Sequence, residues 1–229
     1  MDSKKIFILL KWIQLWNEDK VRSVDKKSRG VILDCGSGNV TSVFNMVEKF
    51  ANVSITKDVN VIRNASFLIL PGVGSFGSVV SKIELNLPLD TIRNGISKGK
   101  PFLGICVGMQ VLASHGEEFG IKEGLDLIPG KVEKLKVTKM QLPHIGWNSL
   151  KTIRNTPLLN GIDESDYFYF THSFGFKCQV DENVNATSKF EEDFTSVISK
   201  ENIFGVQFHP EKSQHSGFKL IKNFVGIKC

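Results

Sequence analysis

Apolar residues fall along the chain in two alternating rhythms. Val31-Ile32-Leu33 is a short continuous apolar run, the pattern of a buried strand, and it breaks at the glycine-rich turn Asp34-Cys35-Gly36-Ser37-Gly38-Asn39. Val40, Val43, Phe44 and Val47 then recur at three- and four-residue spacing and predict a helix. Residues 52–56 predict a second strand, and residues 67–70 a third that runs into Pro71-Gly72-Val73-Gly74. One amphipathic stretch over about 83–96 predicts a helix ahead of a further strand at Pro101-Phe102-Leu103. Strand and helix alternate, which predicts an α/β fold on a doubly wound, mostly parallel sheet with sites at the carboxyl ends of its strands.

Beyond residue 121 the texture changes. Strand-like segments at 131–137, 167–170, 195–199 and 203–208 alternate with turns and predict antiparallel additions to the sheet. Phe218, Leu220, Ile221, Phe224 and Val225 predict a closing helix over one face. Residues 1–29 read differently: Ile6, Leu9, Leu10, Ile13 and Trp16 lie at helical spacing, and a charged stretch follows. They predict an N-terminal extension, helix then linker, ahead of a single domain over residues 30–229. A chain of 229 residues, 41% hydrophobic, is long enough for one well-buried domain of that kind.

The net charge of +5 does not change this picture, because its excess is local. Residues 1–29 hold eight Lys/Arg against four Asp/Glu, and the remainder holds 21 against 20. A near-neutral body without a basic stripe argues against nucleic-acid binding. No apolar run approaches the roughly 18 residues that would span a membrane, and Lys11 interrupts the run from Ile6 before it reaches signal-peptide length. Cys35, Cys106, Cys178 and Cys229 form no C-x-x-C pair, so neither a zinc site nor a dense disulfide framework is expected. A cytoplasmic protein without metal or organic cofactor fits these features.

Candidate chemistry concentrates at Gly104-Ile105-Cys106-Val107-Gly108, where a cysteine stands between a buried strand and a helix-like Met109-Gln110-Val111-Leu112. This is the pattern of a nucleophile elbow, with glycines allowing the sharp bend and keeping side chains clear of the sulfur, and a helix N-terminus favouring a thiolate. A thiol needs a base, an orienter for that base and donors for the oxyanion. Residues 204–208 read as a buried strand ending in His209-Pro210-Glu211, where i, i+2 spacing turns imidazole and carboxylate to one side. His209 is then the base and Glu211 its orienter. The loop Pro71-Gly72-Val73-Gly74-Ser75-Phe76-Gly77 offers free N–H groups, and the amides of Val73 and Val107 are the expected oxyanion hole. No Lys-Ser/Thr follows that loop as in a phosphate-binding loop, and Gly36-Ser37-Gly38 alone does not make a dinucleotide site.

Gly-Ile-Cys-Val-Gly-Met-Gln at 104–110 and Val-Gln-Phe-His-Pro-Glu-Lys-Ser at 206–213 resemble the two signatures of the class I (triad) glutamine amidotransferases. The loop at 71–77, Leu-Pro-His-Ile-Gly-Trp-Asn at 142–148 and Tyr-Phe-Thr-His-Ser-Phe at 169–174 narrow the resemblance to the glutaminase subunits of imidazole glycerol phosphate synthases, over residues 30–229. The resemblance implies hydrolysis of L-glutamine to glutamate and ammonia through a cysteinyl thioester. The ammonia would pass to a cyclase subunit, a (β/α)8 barrel forming a heterodimer with this chain, for histidine biosynthesis. It implies Cys106, His209 and Glu211 as the triad. Gly72, Gln110, Glu118 and the backbone of Ser173 and Phe174 would bind glutamine, and Asn39, Trp147, Tyr169 and Lys212 would lie at the partner interface.

Two positions depart from the family pattern. Cys35 stands where an aromatic residue is usual and Phe174 where a tyrosine is usual, both expected near the partner surface or the substrate loop. His144 and His172 lie in family motifs without an expected catalytic part, and His115 and His215 are expected to face solvent. Three rival readings share the sequence: a glutaminase serving a sugar amidotransferase of surface polysaccharide synthesis, a cysteine peptidase or esterase on a similar elbow, and an interaction protein with a fossil site.

Overall fold

The computed structural model describes residues 28–228. The amphipathic segment of residues 6–16 lies outside them. The first half supplies β1 (Arg29–Leu33), β2 (Asn52–Thr56), β3 (Phe67–Gly72) and β4 (Phe102–Cys106), with helices Val40–Val47, Val59–Asn64, Phe76–Asn86 and Leu89–Ser97 between them. After the short helix Val107–Gln110 come β5 (His115–Gly116), β6 (Lys122–Glu123), β7 (Gly130–Lys134), β8 (His144–Ser149) and β9 (Lys151–Thr152). Then follow β10 (Tyr167–His172), β11 (Phe174–Cys178), β12 (Val184–Phe190), β13 (Glu192–Lys200), β14 (Ile203–Val206) and the closing helix Gln214–Val225.

Eight strands form the main sheet in the order β2-β1-β3-β4-β14-β13-β12-β9. The five from β2 to β14 run parallel, and β13, β12 and β9 extend the sheet antiparallel. The chain leaves β1 for β2 and then crosses back over β1 to β3, so right-handed crossovers put successive helices on opposite faces. Accordingly Val40–Val47 packs with the closing helix, and Val59–Asn64 with Leu89–Ser97. The central strands β3, β4 and β14 are buried throughout, as their unbroken apolar runs require. The closing helix covers one face, with Phe224 edge-on to Phe67 at 5.6 Å and to Phe204 at 6.2 Å.

Three expectations change. The amphipathic stretch at 83–96 is two helices, because Pro88 has no N–H to continue the first and caps the second. Residues 131–137 and 167–170 do not join the main sheet. β7 lies in a four-stranded sheet, β11-β7-β5-β6, and β10 pairs with β8 alone. Both strands alternate buried and half-exposed residues, the pattern of a ladder covered on one face, which the main sheet does not accommodate. The strand at 203–208 stops at Val206, and Pro210–Lys212 forms a 3-10 turn. Among the described residues no helix is long and apolar enough to cross a membrane.

Candidate active site

β4 delivers Cys106 at φ 56° and ψ −115°, a left-handed conformation that costs a non-glycine residue roughly 1–3 kcal/mol. The chain is held there by close backbone packing. A Cβ at position 104 would lie 2.4 Å from the Gly108 carbonyl oxygen, and one at 108 would lie 1.9 Å from the Leu70 carbonyl oxygen. A Cβ at position 72 would come within 2.6 Å of the Gly108 nitrogen. The elbow glycines therefore let β3, β4 and the following turn touch, rather than clearing space around the sulfur. The helix after Cys106 is only four residues long, so any help to a thiolate comes from individual N–H groups and not from a long dipole.

His209 and Glu211 come together, although not by strand alternation. The 3-10 turn at Pro210–Lys212 folds Glu211 back so that its Oε1 lies 2.8 Å from His209 Nδ1, with both side chains almost fully buried. Ser213, absent from the sequence reading of the site, anchors that turn. Its hydroxyl accepts from the Tyr169 N–H at 3.0 Å and donates to the His209 carbonyl at 2.6 Å, while the His209 N–H donates to the Tyr169 carbonyl at 2.9 Å. Gly217 lets the closing helix press on the turn, since a Cβ there would lie 1.9 Å from the Pro210 oxygen. Burial opposes a charge on His209, but hydrogen bonds to Cys106 and Glu211, with their charges, outweigh it and push the imidazole up to about 10.

A cavity of about 320 Å³ opens on Cys106 and is lined by Val73, Val107, Gln110, Glu118, Ser173, Phe174 and His209. Gly72 does not line it; that residue pairs with Cys106 across β3 and β4. Glu118 reaches the wall with one oxygen committed, accepting from the Phe76 N–H at 2.8 Å at the start of helix Phe76–Asn86. Val73 is half-exposed, and its carbonyl accepts from the Ser37 hydroxyl. Cys35 is buried, with its thiol toward the Ser37 carbonyl, so this departure from the family pattern points into the core and not to a partner surface. His215 faces solvent as expected, whereas His115 is half-buried in β5.

The structure adds a polar network that the sequence reading missed. Gln110 Nε2 donates to the Phe174 carbonyl at 2.9 Å and to Gln207 Oε1 at 3.0 Å, and Gln207 Nε2 lies 3.8 Å from Cys106 Sγ. His172 Nδ1 also meets the Phe174 carbonyl, at 2.8 Å, and His144 Nδ1 lies 3.4 Å from His172 Nε2. Burial pushes His172 down to about 4, so its ring is neutral near pH 7. The only advance signal was Gln207 standing two residues before His209 in an otherwise apolar run.

The four expected interface residues divide. Trp147 and Tyr169 pair across β8 and β10 with rings 5.9 Å apart, and the Lys212 ammonium sits 5.5 Å over the Tyr169 ring. With Ile145 and Tyr167 they make an exposed apolar ridge on the outer face of this ladder. Asn39 belongs to a different element, where it caps helix Val40–Val47 by accepting from the Ser42 N–H. No three His, Cys, Asp or Glu side chains cluster as metal ligands among the described residues.

A cysteine on a strained elbow, an imidazole hydrogen-bonded to a carboxylate and a cavity at the ends of parallel strands have the geometry of a triad hydrolase site. The family model of the class-I glutamine amidotransferases matches residues 16–227, and the chain belongs to that family. Its relatives include imidazole glycerol phosphate synthase subunit HisH of Pyrococcus furiosus, 44% identical over 86% of this chain and 97% of that protein. HisH 2 of Methanococcus maripaludis is 43% identical over 85% of this chain and 97% of its own length. At that identity over nearly the whole of each relative, the chain belongs to the HisH branch of the family. Solved structures share the fold: PurLQS from Thermotoga maritima superposes with a TM-score of 0.68 at 20% identity, over 86% of this chain and 97% of that one. A further glutamine amidotransferase superposes with a TM-score of 0.67 at 15% identity, over 86% of this chain and 99% of that one.

Proposed function

We propose that the chain is the glutaminase subunit of an imidazole glycerol phosphate synthase and supplies ammonia for histidine biosynthesis. The observation that carries the chemistry is Cys106, strained at the elbow and facing the same cavity as His209, whose Nδ1 lies 2.8 Å from Glu211 Oε1. Cys106 passes its proton to His209, and the thiolate attacks the side-chain amide carbon of glutamine. The amides of Val73 and Val107 stabilise the oxyanion. His209 then protonates the departing ammonia, leaving a glutamyl thioester that water hydrolyses to glutamate.

The same geometry supports the binding roles. Gln110 gives its amide N–H groups to Phe174 and Gln207, so its remaining oxygen is the group available to a donor such as the substrate ammonium. Ser173 and Phe174 line the same cavity and offer backbone groups to the α-carboxylate. The ridge of Trp147 and Tyr169 with Lys212 is the surface for the cyclase subunit, a (β/α)8 barrel, and Asn39 with its loop adds to it. Free ammonia is protonated in water, so releasing it only toward an occupied acceptor site gives hydrolysis a reason to be coupled to that subunit. Acid-quenched turnover followed by mass spectrometry tests the covalent step: a glutamyl adduct on Cys106 is expected, absent from Cys106→Ala. An adduct elsewhere, or turnover by Cys106→Ala, would contradict it.

A further inference from the structure

Gln207 is fully buried and has no part in the triad, the oxyanion hole or the glutamine contacts. We propose that Gln207 is a catalytic hydrogen-bond donor that positions the Cys106 sulfur, fixing the direction of its nucleophilic lone pair. The inference rests on Cys106 being the nucleophile.

The network leaves one assignment of its hydrogens. The Phe174 carbonyl can only accept, so the Gln110 group 2.9 Å from it is the amide nitrogen. That same nitrogen donates to Gln207 at 3.0 Å, which fixes the Gln207 oxygen on the Gln110 side and its N–H groups on the sulfur side, 3.8 Å from Sγ. His172, neutral above about 4, can meet the Phe174 carbonyl only through Nδ1–H, so its Nε2 accepts from His144. The Gln207 backbone is equally fixed, its N–H donating to the Ser196 carbonyl at 2.9 Å. An amide locked at both ends cannot swing away, and the sulfur is held between two donors, Gln207 and His209. A donor to the ionised sulfur favours the thiolate over the thiol.

The test is the pH profile of Cys106 alkylation by iodoacetamide in the full chain, where the thiolate forms the S–C bond and iodide leaves. Other titratable groups around the sulfur are His209, with Glu211 behind it, His172 and Glu118. Gln207→Met keeps the length and loses the donor, and Gln207→Asn keeps an amide too short to reach both partners. In both, the alkylation midpoint is expected to rise by about one unit or more, and kcat to fall roughly ten- to a hundredfold. The KM for glutamine should change less than about threefold. Either variant, if the other fails to fold, suffices. A folded variant with lower kcat but an unshifted midpoint would reduce Gln207 to a packing residue and overturn the proposal. A wild-type chain that keeps its glutaminase activity after alkylation of Cys106 would instead overturn the nucleophile assignment.

Discussion

Glu211 contacts His209 and does not line the cavity that opens on Cys106. Nδ1 is held at 2.8 Å, which leaves Nε2 for the thiol side, and although burial opposes the charge the hydrogen bonds to Cys106 and Glu211 push the imidazole up to about 10. Removing the carboxylate charge without changing its shape should undo this. Glu211→Gln is expected to lower kcat by roughly a hundred- to ten-thousandfold while glutamine still binds, measured as glutamate release at saturating substrate. A loss smaller than about fivefold would show that the base is oriented by something else. At this scale the elbow, the histidine and the carboxylate could be named in advance, but a 3-10 turn and not strand alternation brings the last two together. Gln207, polar in an apolar run, and Ser213, one of several polar residues after the histidine, could not be named, because each shows its purpose only when its partners on other elements are brought to it.

Elements set the site by pressing on one another. The closing helix meets the 3-10 turn at Gly217, and Gly217→Ala should push Pro210, and with it His209, out of line. The expected cost is about 1–3 kcal/mol in stability together with a fall in kcat, read by thermal melting and steady-state rates. Wild-type activity in that variant would contradict the idea that this contact holds the base. The same helix is tied to Asp166, just ahead of β10, by Lys219, which donates to it at 2.9 and 3.0 Å, and by Ser216 at 2.8 Å. Burial alone would raise the Asp166 carboxyl, but Lys219, Ser216 and the Asp163 N–H outweigh it and hold it below its ordinary 3.8. A depressed carboxylate adds stability above the ordinary aspartate range and loses it as pH falls through the lowered value. Asp166→Asn should therefore be about 1–3 kcal/mol less stable at pH 7 and converge on wild type in acid; a gap independent of pH would contradict this. Among the parallel strands, β1, β3 and β4 could be read from the sequence because they carry continuous apolar runs, whereas β14, expected among the antiparallel additions, pairs parallel with β4. The small sheets β8–β10 and β7–β11 could not, since pairing partners far apart in sequence leave no periodic mark.

Across the whole molecule, the cleft lies at the carboxyl ends of β3 and β4, while the Trp147 ridge lies on a separate ladder joined to it by Tyr169 and His209. A partner seated on that ridge would bear directly on the strand that holds the base. Trp147→Ala and Lys212→Ala are expected to weaken the complex about tenfold or more, measured by titration with the cyclase subunit; unchanged affinity in both would move the interface elsewhere. The most direct test of the central claim is glutamate release from glutamine by the purified chain, with and without the cyclase subunit and the ammonia acceptor that occupies its site. The account predicts a slow basal rate that rises roughly fivefold to a hundredfold or more when both are present. A rate indifferent to that subunit would contradict it.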